Sequence, residues 1–386
     1  MKKILIACRG YYPDIAGGGE ISTKYLTEEL SLLGYDVEVL AVNEVDKKDK
    51  VNDITVNRLR YANLYWSMRN KGISKLKKIA WHFIDSNNIF FIKKLNEVID
   101  QVNPEILITS TIEDLSSIIW KVAKKKGIRT IHILRSYSLL CTNANMFKED
   151  NCGSQCHFCK GMTYLKKLNS GYVDDIVGIS KFVLNEHIKN GYFSNARRHV
   201  IYNICLEDVL NERKYNGFES RLIKVGYLGR VHKTKGIELI FEAIEKIQRG
   251  IIGDVSIRIA GSGEGNYISD LTNEARKKNL TVEFLGNVPA NEFLDSIDLL
   301  VVPSKWNEPF GRVIVESMAR KVPVAAKIVG GIPELLSDNE GFLFGNEEEL
   351  ASVIEDYMNE TLRFNFILDS FETKNIIGKW KVLLES

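Results

Sequence analysis

Two carboxylates stand eight positions apart in the run Glu308-Pro309-Phe310-Gly311-Arg312-Val313-Ile314-Val315-Glu316. A Pro-Phe-Gly turn separates them, and helix-compatible residues continue to Ala319. A glycine turn that opens a helix leaves backbone N–H groups without intrahelical partners, and such groups bind phosphate. Glu308 falls in the loop before the turn, and Glu316 about one and a half turns inside the helix. A segment of this kind holds a diphosphate between two acceptors for sugar hydroxyls. The chemistry it suggests is recognition of a nucleotide diphosphate sugar.

A second basic segment, Gly226 to Gly236, carries Gly229, Arg230 and Lys235 where a strand gives way to a helix. Two fixed cations beside a helix start neutralise a departing diphosphate without a metal. Alone, this run would read as an ordinary basic loop; beside Glu308 and Glu316 the phosphate reading prevails. Gly17-Gly18-Gly19-Glu20 follows the first strand, and glycines there let backbone approach a ligand at a helix start. The spacing is not GxGxxG, and no GxxxxGK[ST] occurs, which excludes a P-loop.

Cys152, Cys156 and Cys159 form Cys-x3-Cys-x2-Cys, with Cys141 upstream. Four thiolates make a closed, structural zinc site, and free loop thiols stand as an equal alternative. Trp66 to Lys94 interleaves Lys71, Lys75, Lys77, Lys78, Lys93 and Lys94 with Trp66, Trp81, Phe83, Phe90 and Phe91. Such mixing suits a membrane–water interface, while inward-packed aromatics on surface helices are the commoner arrangement. His132 sits inside a strand pattern and reads as a core histidine. Arg135, just past that strand, is better placed to meet a substrate. No Asp-x-Asp occurs to hold a divalent metal, and catalysis is expected to need no cofactor.

These residues need elements to position them. Lys3–Ala7, Val37–Val42, Ile106–Thr109, Thr130–Leu134 and Ile176–Ile179 read as strands, with helices at Glu20–Leu33 and Leu115–Lys126. A second series follows: strands at Lys224–Tyr227, Val255–Ala260, Val282–Leu285, Leu299–Val302 and Val324–Ala326, with helices at Gly236–Gln248 and Gly311–Ala319. Alternating strands and helices imply parallel sheets. The fold class expected is α/β, two Rossmann-like domains facing across a cleft. Residues 1–205 are expected to form one domain and 206–370 the nucleotide-sugar domain, with a linker at Asn211–Arg221 and a last helix within 371–386. Ligands of such sheets lie beyond the C-terminal strand ends.

With 386 residues, 45% hydrophobic and 26% charged, the chain is long enough for two or three globular domains. Net charge is +2, but residues 1–205 carry 30 Lys and Arg against 21 Asp and Glu, while the rest carry 22 against 29. The basic half is expected to face something anionic or simply to be a solvated lysine-rich surface. No apolar run approaches a membrane span, and the start reads as a buried strand rather than a signal peptide. Six cysteines in this length are not a disulfide framework. The expectation is a cytoplasmic protein, peripheral at the inner membrane face, with no nucleic-acid partner.

Taken together, the motifs resemble retaining glycosyltransferases of family 4, which have the GT-B fold. The likeness rests on Gly17-Gly18-Gly19-Glu20, Val177-Gly178-Ile179-Ser180, Ile201-Tyr202-Asn203, Gly229-Arg230 with Lys235-Gly236, and Gly261-Ser262-Gly263. It continues through Phe284-Leu285-Gly286-Asn287-Val288, Pro303-Ser304, Glu308-Pro309-Phe310-Gly311 with Glu316, and Gly330-Gly331-Ile332-Pro333-Glu334. The resemblance implies that Arg230 and Lys235 bind the donor diphosphate and that Glu308 meets the donor sugar. It implies that Phe310, Gly311 and Arg312 offer backbone to hydroxyls and phosphate and that Glu316 holds the ribose. Gly229 and Gly263 would bind the donor, Val288 would line the base pocket, Gly18 and Gly19 would approach the phosphates, and the last helix, 371–386, would cross back onto the first, acceptor-side domain. Arg135-Ser136-Tyr137 replaces the His-Asp-Tyr of many relatives. Arg135 and Tyr137 are then the acceptor-side pair, and Arg135 donates hydrogen bonds but is no base at neutral pH. The implied reaction moves a sugar, with retention, to a hydroxyl of a glycan or lipid-linked acceptor. A nucleotide-sugar epimerase and a catalytically silent glycan-binding subunit are the alternatives.

Overall fold

The computed structural model describes residues 2–15, 17–69, 72–205, 222–248 and 255–386. The linker expected at Asn211–Arg221 lies outside them. The chain divides into two compact units. One comprises Met1–Met146, Cys152–Ile204 and Thr373–Ser386, the other Phe147–Asn151 and Cys205–Glu372.

The first unit contains β1 (Lys3–Cys8), β2 (Asp36–Asn43), β3 (Lys47–Val51), β4 (Ile54–Arg60), β5 (Ile106–Thr109), β6 (Arg129–Leu134), β7 (Asp175–Gly178) and β8 (Arg197–Val200). They form one sheet in the order β3-β4-β2-β1-β5-β6-β7-β8. The ladder is parallel except for β3, which pairs antiparallel with β4. Ile4 to Cys8 and Val39 to Val42 are fully buried, because helices cover both faces of a parallel sheet. The β3–β4 hairpin is invisible to hydrophobic patterning, since Lys47-Lys48-Asp49-Lys50 is a charged edge strand. Asn52 and Asp53 turn it with φ of 46° and 64°, the left-handed pair that two-residue hairpins favour.

The helix expected from Leu115 begins instead at Ile118 and runs to Lys125. Asp114 and Ser116 hold φ of 68° and 67°, which no helix accepts. The last helix, Thr373–Glu385, belongs to the first unit and buries Ile376, Ile377, Trp380, Leu383 and Leu384. Its terminal carbonyls lack helical partners; Lys2 Nζ donates to Leu384 at 2.6 Å and Arg129 to Leu383 at 3.0 Å.

The second unit contains β9 (Ile223–Leu228), β10 (Val255–Ala260), β11 (Thr281–Gly286), β12 (Leu299–Val302), β13 (Val324–Lys327) and β14 (Leu343–Phe344). All are parallel, in the order β11-β10-β9-β12-β13-β14. The third-second-first-fourth-fifth-sixth sequence is that of a dinucleotide-binding sheet, whose ligands sit where the order reverses. Here the reversal lies where β9 meets β12, so the loops after Leu228 and Val302 are the ones to examine. The segment Phe147–Asn151 counts with this unit: Asn151 donates to the Lys305 carbonyl and accepts from Asn307 N–H, both at 2.8 Å.

Candidate functional site

Three loops leave the C-terminal ends of β9, β10 and β11 and are stitched together through backbone. Gly229 N–H donates to Ala260, Gly261 N–H to Gly286 and Val231 N–H to Ser262, at 3.0, 2.7 and 2.8 Å. A side chain at Gly261 would put Cβ 1.8 Å from the Gly229 oxygen, and one at Gly263 2.4 Å from the Val231 oxygen. Glycine is required there by close packing. Arg230 leaves this loop exposed and forms no ion pair among the described residues, while its carbonyl accepts from Tyr227 Oη at 2.8 Å.

Lys235 closes a short 3-10 turn over Lys233–Lys235. His232 caps that turn through Nδ1, which accepts from Thr234 N–H at 3.3 Å. Burial and the cations Arg230, Lys235 and Lys233 hold His232 below the usual histidine pKa, despite Glu264 nearby. Thr234 O then accepts from Lys305 N–H at 2.8 Å, which ties the β9 turn to the loop after β12.

That second loop places Glu308. Its Oε1 accepts from Ser304 Oγ at 2.7 Å, from Trp306 Nε1 at 2.9 Å and from Lys235 Nζ. The ammonium of Lys235 also lies 5.3 Å from the Trp306 ring centroid, within cation–π range. No donor among the described residues reaches Glu308 Oε2. The backbone of Glu308 is held as well: its carbonyl accepts from Gly331 N–H at 2.8 Å, and Gly330 N–H donates to Asn307 Oδ1 at 3.2 Å. Gly330 has φ of 59°, and a Cβ there would lie 2.2 Å from the Glu308 oxygen.

Gly311, at φ 109°, is the N-cap of the helix Arg312–Ala319 and offers no side chain to cap it. Phe310 is buried and meets Phe371 edge-on, with centroids 6.5 Å apart. Glu316 lies one turn inside, where Oε1 accepts from Arg312 at 3.0 Å. Val288 is half-buried just beyond β11. The second unit therefore carries Gly229, Arg230, Lys235, Gly263, Glu308, Phe310 and Gly311 on loops that leave β9, β10 and β12, and Arg312 and Glu316 on the helix that follows. Sequence reading missed Ser304 and Trp306 as partners of Glu308; their two- and four-residue offsets in a loop follow no regular period.

In the first unit the order reverses where β1 meets β5. Gly18 opens the helix Gly18–Leu32, and a Cβ on Gly19 would lie 3.3 Å from Thr111 and 3.7 Å from Arg135. Arg135 donates from Nε to Ser110 Oγ at 2.8 Å and from Nη1 to Asn203 Oδ1. Tyr137 is placed in the core instead, its ring parallel to His187 at 6.4 Å. His132 is a satisfied core histidine: Nδ1 meets Thr109 Oγ1 at 2.9 Å, and burial pushes it down to about 3.

Beside these lies a charged network that no motif announced. Arg9 Nε donates to buried Glu20 at 2.8 Å and faces Glu113 at 3.7 Å. Buried Asp85 pairs with buried Lys166 at 3.0 Å. Burial, with Asp85 nearby, pushes Asp114 up to about 7, although Ser67 donates to it from N–H and Oγ. Burial works against the charge of Lys166, but Asp85 and Glu113 outweigh it and hold its pKa above the ordinary value.

Cys141 and Cys159 are buried, Cys152 is half-buried and Cys156 is exposed; all four are free thiols. Cys156 Sγ caps the helix His157–Asn169 by accepting from Cys159 N–H at 3.4 Å. Cys159 donating to its sulfur, along with backbone N–H groups of Asn143, Met146 and Asn145, pulls Cys141 down to about 6. Among the described residues, no group of three or more His, Cys, Asp or Glu is arranged to hold a metal ion.

Residues 208–367 match the family of glycosyl transferases group 1. An uncharacterised 42.6 kDa protein in the cps region of Klebsiella pneumoniae is 32% identical over 330 residues, spanning 84% of this chain and 85% of the relative. An uncharacterised glycosyltransferase of Methanocaldococcus jannaschii is 25% identical over 342 residues, 86% of this chain and 82% of its own. Among solved structures, the Anabaena protein HepE, in complex with UDP and glucose, aligns over 100% of both chains with a TM-score of 0.70 at 18% identity. That last likeness is one of fold.

Proposed function

Because this chain belongs to the glycosyl transferases of group 1 and has the two α/β units of the GT-B fold, we propose that it is a retaining enzyme that moves a sugar from a nucleotide diphosphate sugar to a hydroxyl. The observation that carries the reading is the convergence of Arg230, Lys235 and Glu308 at the reversal point of the second sheet. Arg230 and Lys235 receive the donor diphosphate. As the bond from anomeric carbon to phosphate oxygen breaks, negative charge grows on the leaving group, and these cations with the N–H groups after Gly311 stabilise it.

Glu308 meets the donor sugar through Oε2, which no donor among the described residues reaches. Its other oxygen takes three donors, which makes the carboxylate a poor nucleophile and disfavours a covalent glycosyl intermediate. The acceptor hydroxyl therefore attacks from the face the diphosphate leaves, and a donor phosphate oxygen takes its proton. Glu316 holds the ribose and Val288 borders the base. Arg135 donates to the acceptor, and Tyr137 backs that loop from the core. The place of the Klebsiella relative in a cps region supports a cell-surface glycan or lipid-linked acceptor. The cysteine segment has no part in the reaction.

The tests are kinetic and stereochemical. A thermal-shift panel of UDP-, GDP-, ADP-, CMP- and dTDP-sugars identifies the donor. Lys235→Ala and Arg230→Ala should each lower kcat/KM by roughly 150-fold, about 3 kcal/mol of transition-state stabilisation. Turnover near wild type in either variant removes that residue from the site. Proton NMR of the fresh product should show the donor's anomeric configuration, and an inverted product refutes retention.

A further inference from the structure

The helix Lys75–Ser86 is amphipathic the wrong way round for a buried element. Trp81 and Asp85 point inward and are almost fully buried. Leu76, Ile79 and Phe83 recur at helical spacing on the opposite side and are 80%, 42% and 67% exposed. The turn that follows adds Ile89 and Phe90 at 59% and 72%, while Phe91 packs into the core. Five large apolar side chains on one short stretch exceed what scattered surface hydrophobics explain.

The charges around them point one way. Residues 72–94 carry five lysines and a single acid, Asp85, which is buried against Lys166. Lys94 is taken by Asp46 and Lys93 by Glu97 at the edge of the patch. Lys75, Lys77 and Lys78 form no ion pair among the described residues; Lys71 lies outside them. At helical spacing Lys75 falls nearer the apolar stripe, while the Lys77 ammonium stands 6.0 Å from the Tyr65 ring centroid. The neighbouring helix, His157–Asn169, repeats the design with Phe158, Tyr164 and Leu168 exposed and Lys160 and Lys167 beside them. No helix among the described residues is long and apolar enough to cross a membrane.

We infer that this face docks on an anionic lipid bilayer, with Leu76, Ile79, Phe83, Ile89 and Phe90 entering the headgroup–acyl boundary and the lysines meeting lipid phosphates. A helix with outward apolar residues between basic flanks lies in the interface plane, and charge complementarity selects a membrane over a neutral protein groove. The inference needs no nucleotide sugar, so its failure and that of the enzymatic reading are separable.

The test is flotation of the full chain with vesicles of phosphatidylcholine, with and without phosphatidylglycerol. Wild type should float with the anionic vesicles and do so less as salt rises. Phe83→Glu with Phe90→Glu should lower binding by about tenfold or more at unchanged melting temperature, since both rings are exposed. If that pair unfolds the chain, Leu76→Ser with Ile79→Ser reads the same loss. Lys75→Gln with Lys78→Gln should weaken anionic binding only, by roughly fivefold per lysine, or about 1 kcal/mol. Absent flotation, flotation indifferent to Phe83 and Phe90, or a solution dimer that the same substitutions dissociate would each overturn the inference.

Discussion

Glu308 illustrates how a loop carboxylate is aimed. Ser304 and Trp306 both donate to Oε1, so that oxygen is fixed, while no donor among the described residues reaches Oε2. Trp306→Phe keeps the ring and removes the donor. A hydrogen bond to a charged group contributes about 1.5 kcal/mol, so the nucleotide sugar should bind roughly tenfold more weakly while the nucleoside diphosphate binds as before. Calorimetry with UDP-glucose and UDP, or GDP-mannose and GDP, whichever stabilises the wild type, separates the two; an unchanged ratio removes Trp306 from this role. Asp114 offers a pH test. Its folded pKa of about 7 stands above an unfolded value near 4, so the folded chain binds that proton more tightly in between. Its contribution is greatest below pH ~4 and is lost as pH rises through ~7. Asp114→Asn should flatten that part of the melting-temperature profile from pH 5 to 8.

The loops are as constrained as the strands they extend. Gly330 combines a left-handed φ with a Cβ position blocked by Glu308 backbone, whereas Gly286 has φ of 66° with nothing within 4 Å. Gly286→Ala should therefore cost about 1 kcal/mol from backbone strain alone. Gly330→Ala should cost more and also cut sugar transfer, because relief of the clash moves Glu308. Equal melting temperatures and equal activity in the two variants would show that the 307–308 backbone yields freely. The short helix Arg312–Ala319 starts from a left-handed glycine, Gly311 at φ 109°, which sets the direction of its first turn.

The six-strand order of the second sheet recurs in the first as β4-β2-β1-β5-β6-β7, with β3 and β8 at its edges, and each reversal point gathers polar residues, which is why two separate sheets both end in candidate binding loops. The chain's last helix completes the first of these units rather than the second, although it follows the second in sequence. Trp380 is 3% exposed there. Trp380→Ala should destabilise the first unit by about 4 kcal/mol, read as an earlier first transition in calorimetry, with the nucleotide-sugar-stabilised transition unmoved. A single transition that shifts as a whole would show instead that the units unfold together.

By itself, the sequence determined the parallel α/β character of both halves, most strand cores, and the placing of Arg230, Lys235 and Glu308 on loops after strand ends. Buried parallel strands are continuous apolar runs, and binding glycines mark the turns after them, so both signals are local. Only the tertiary structure decided the strand orders, the charged edge hairpin at 47–60, the Ser304 and Trp306 grip on Glu308, and the Arg9–Glu113–Lys166 network. It also decided that Tyr137 packs inward. Those features depend on which loops meet after residues far apart are brought together, and no periodicity along the chain encodes such meetings. The aromatic-basic segment fell on the same divide: its composition was legible, but which aromatics face outward was fixed only when Trp81 and Asp85 found their partners in the core.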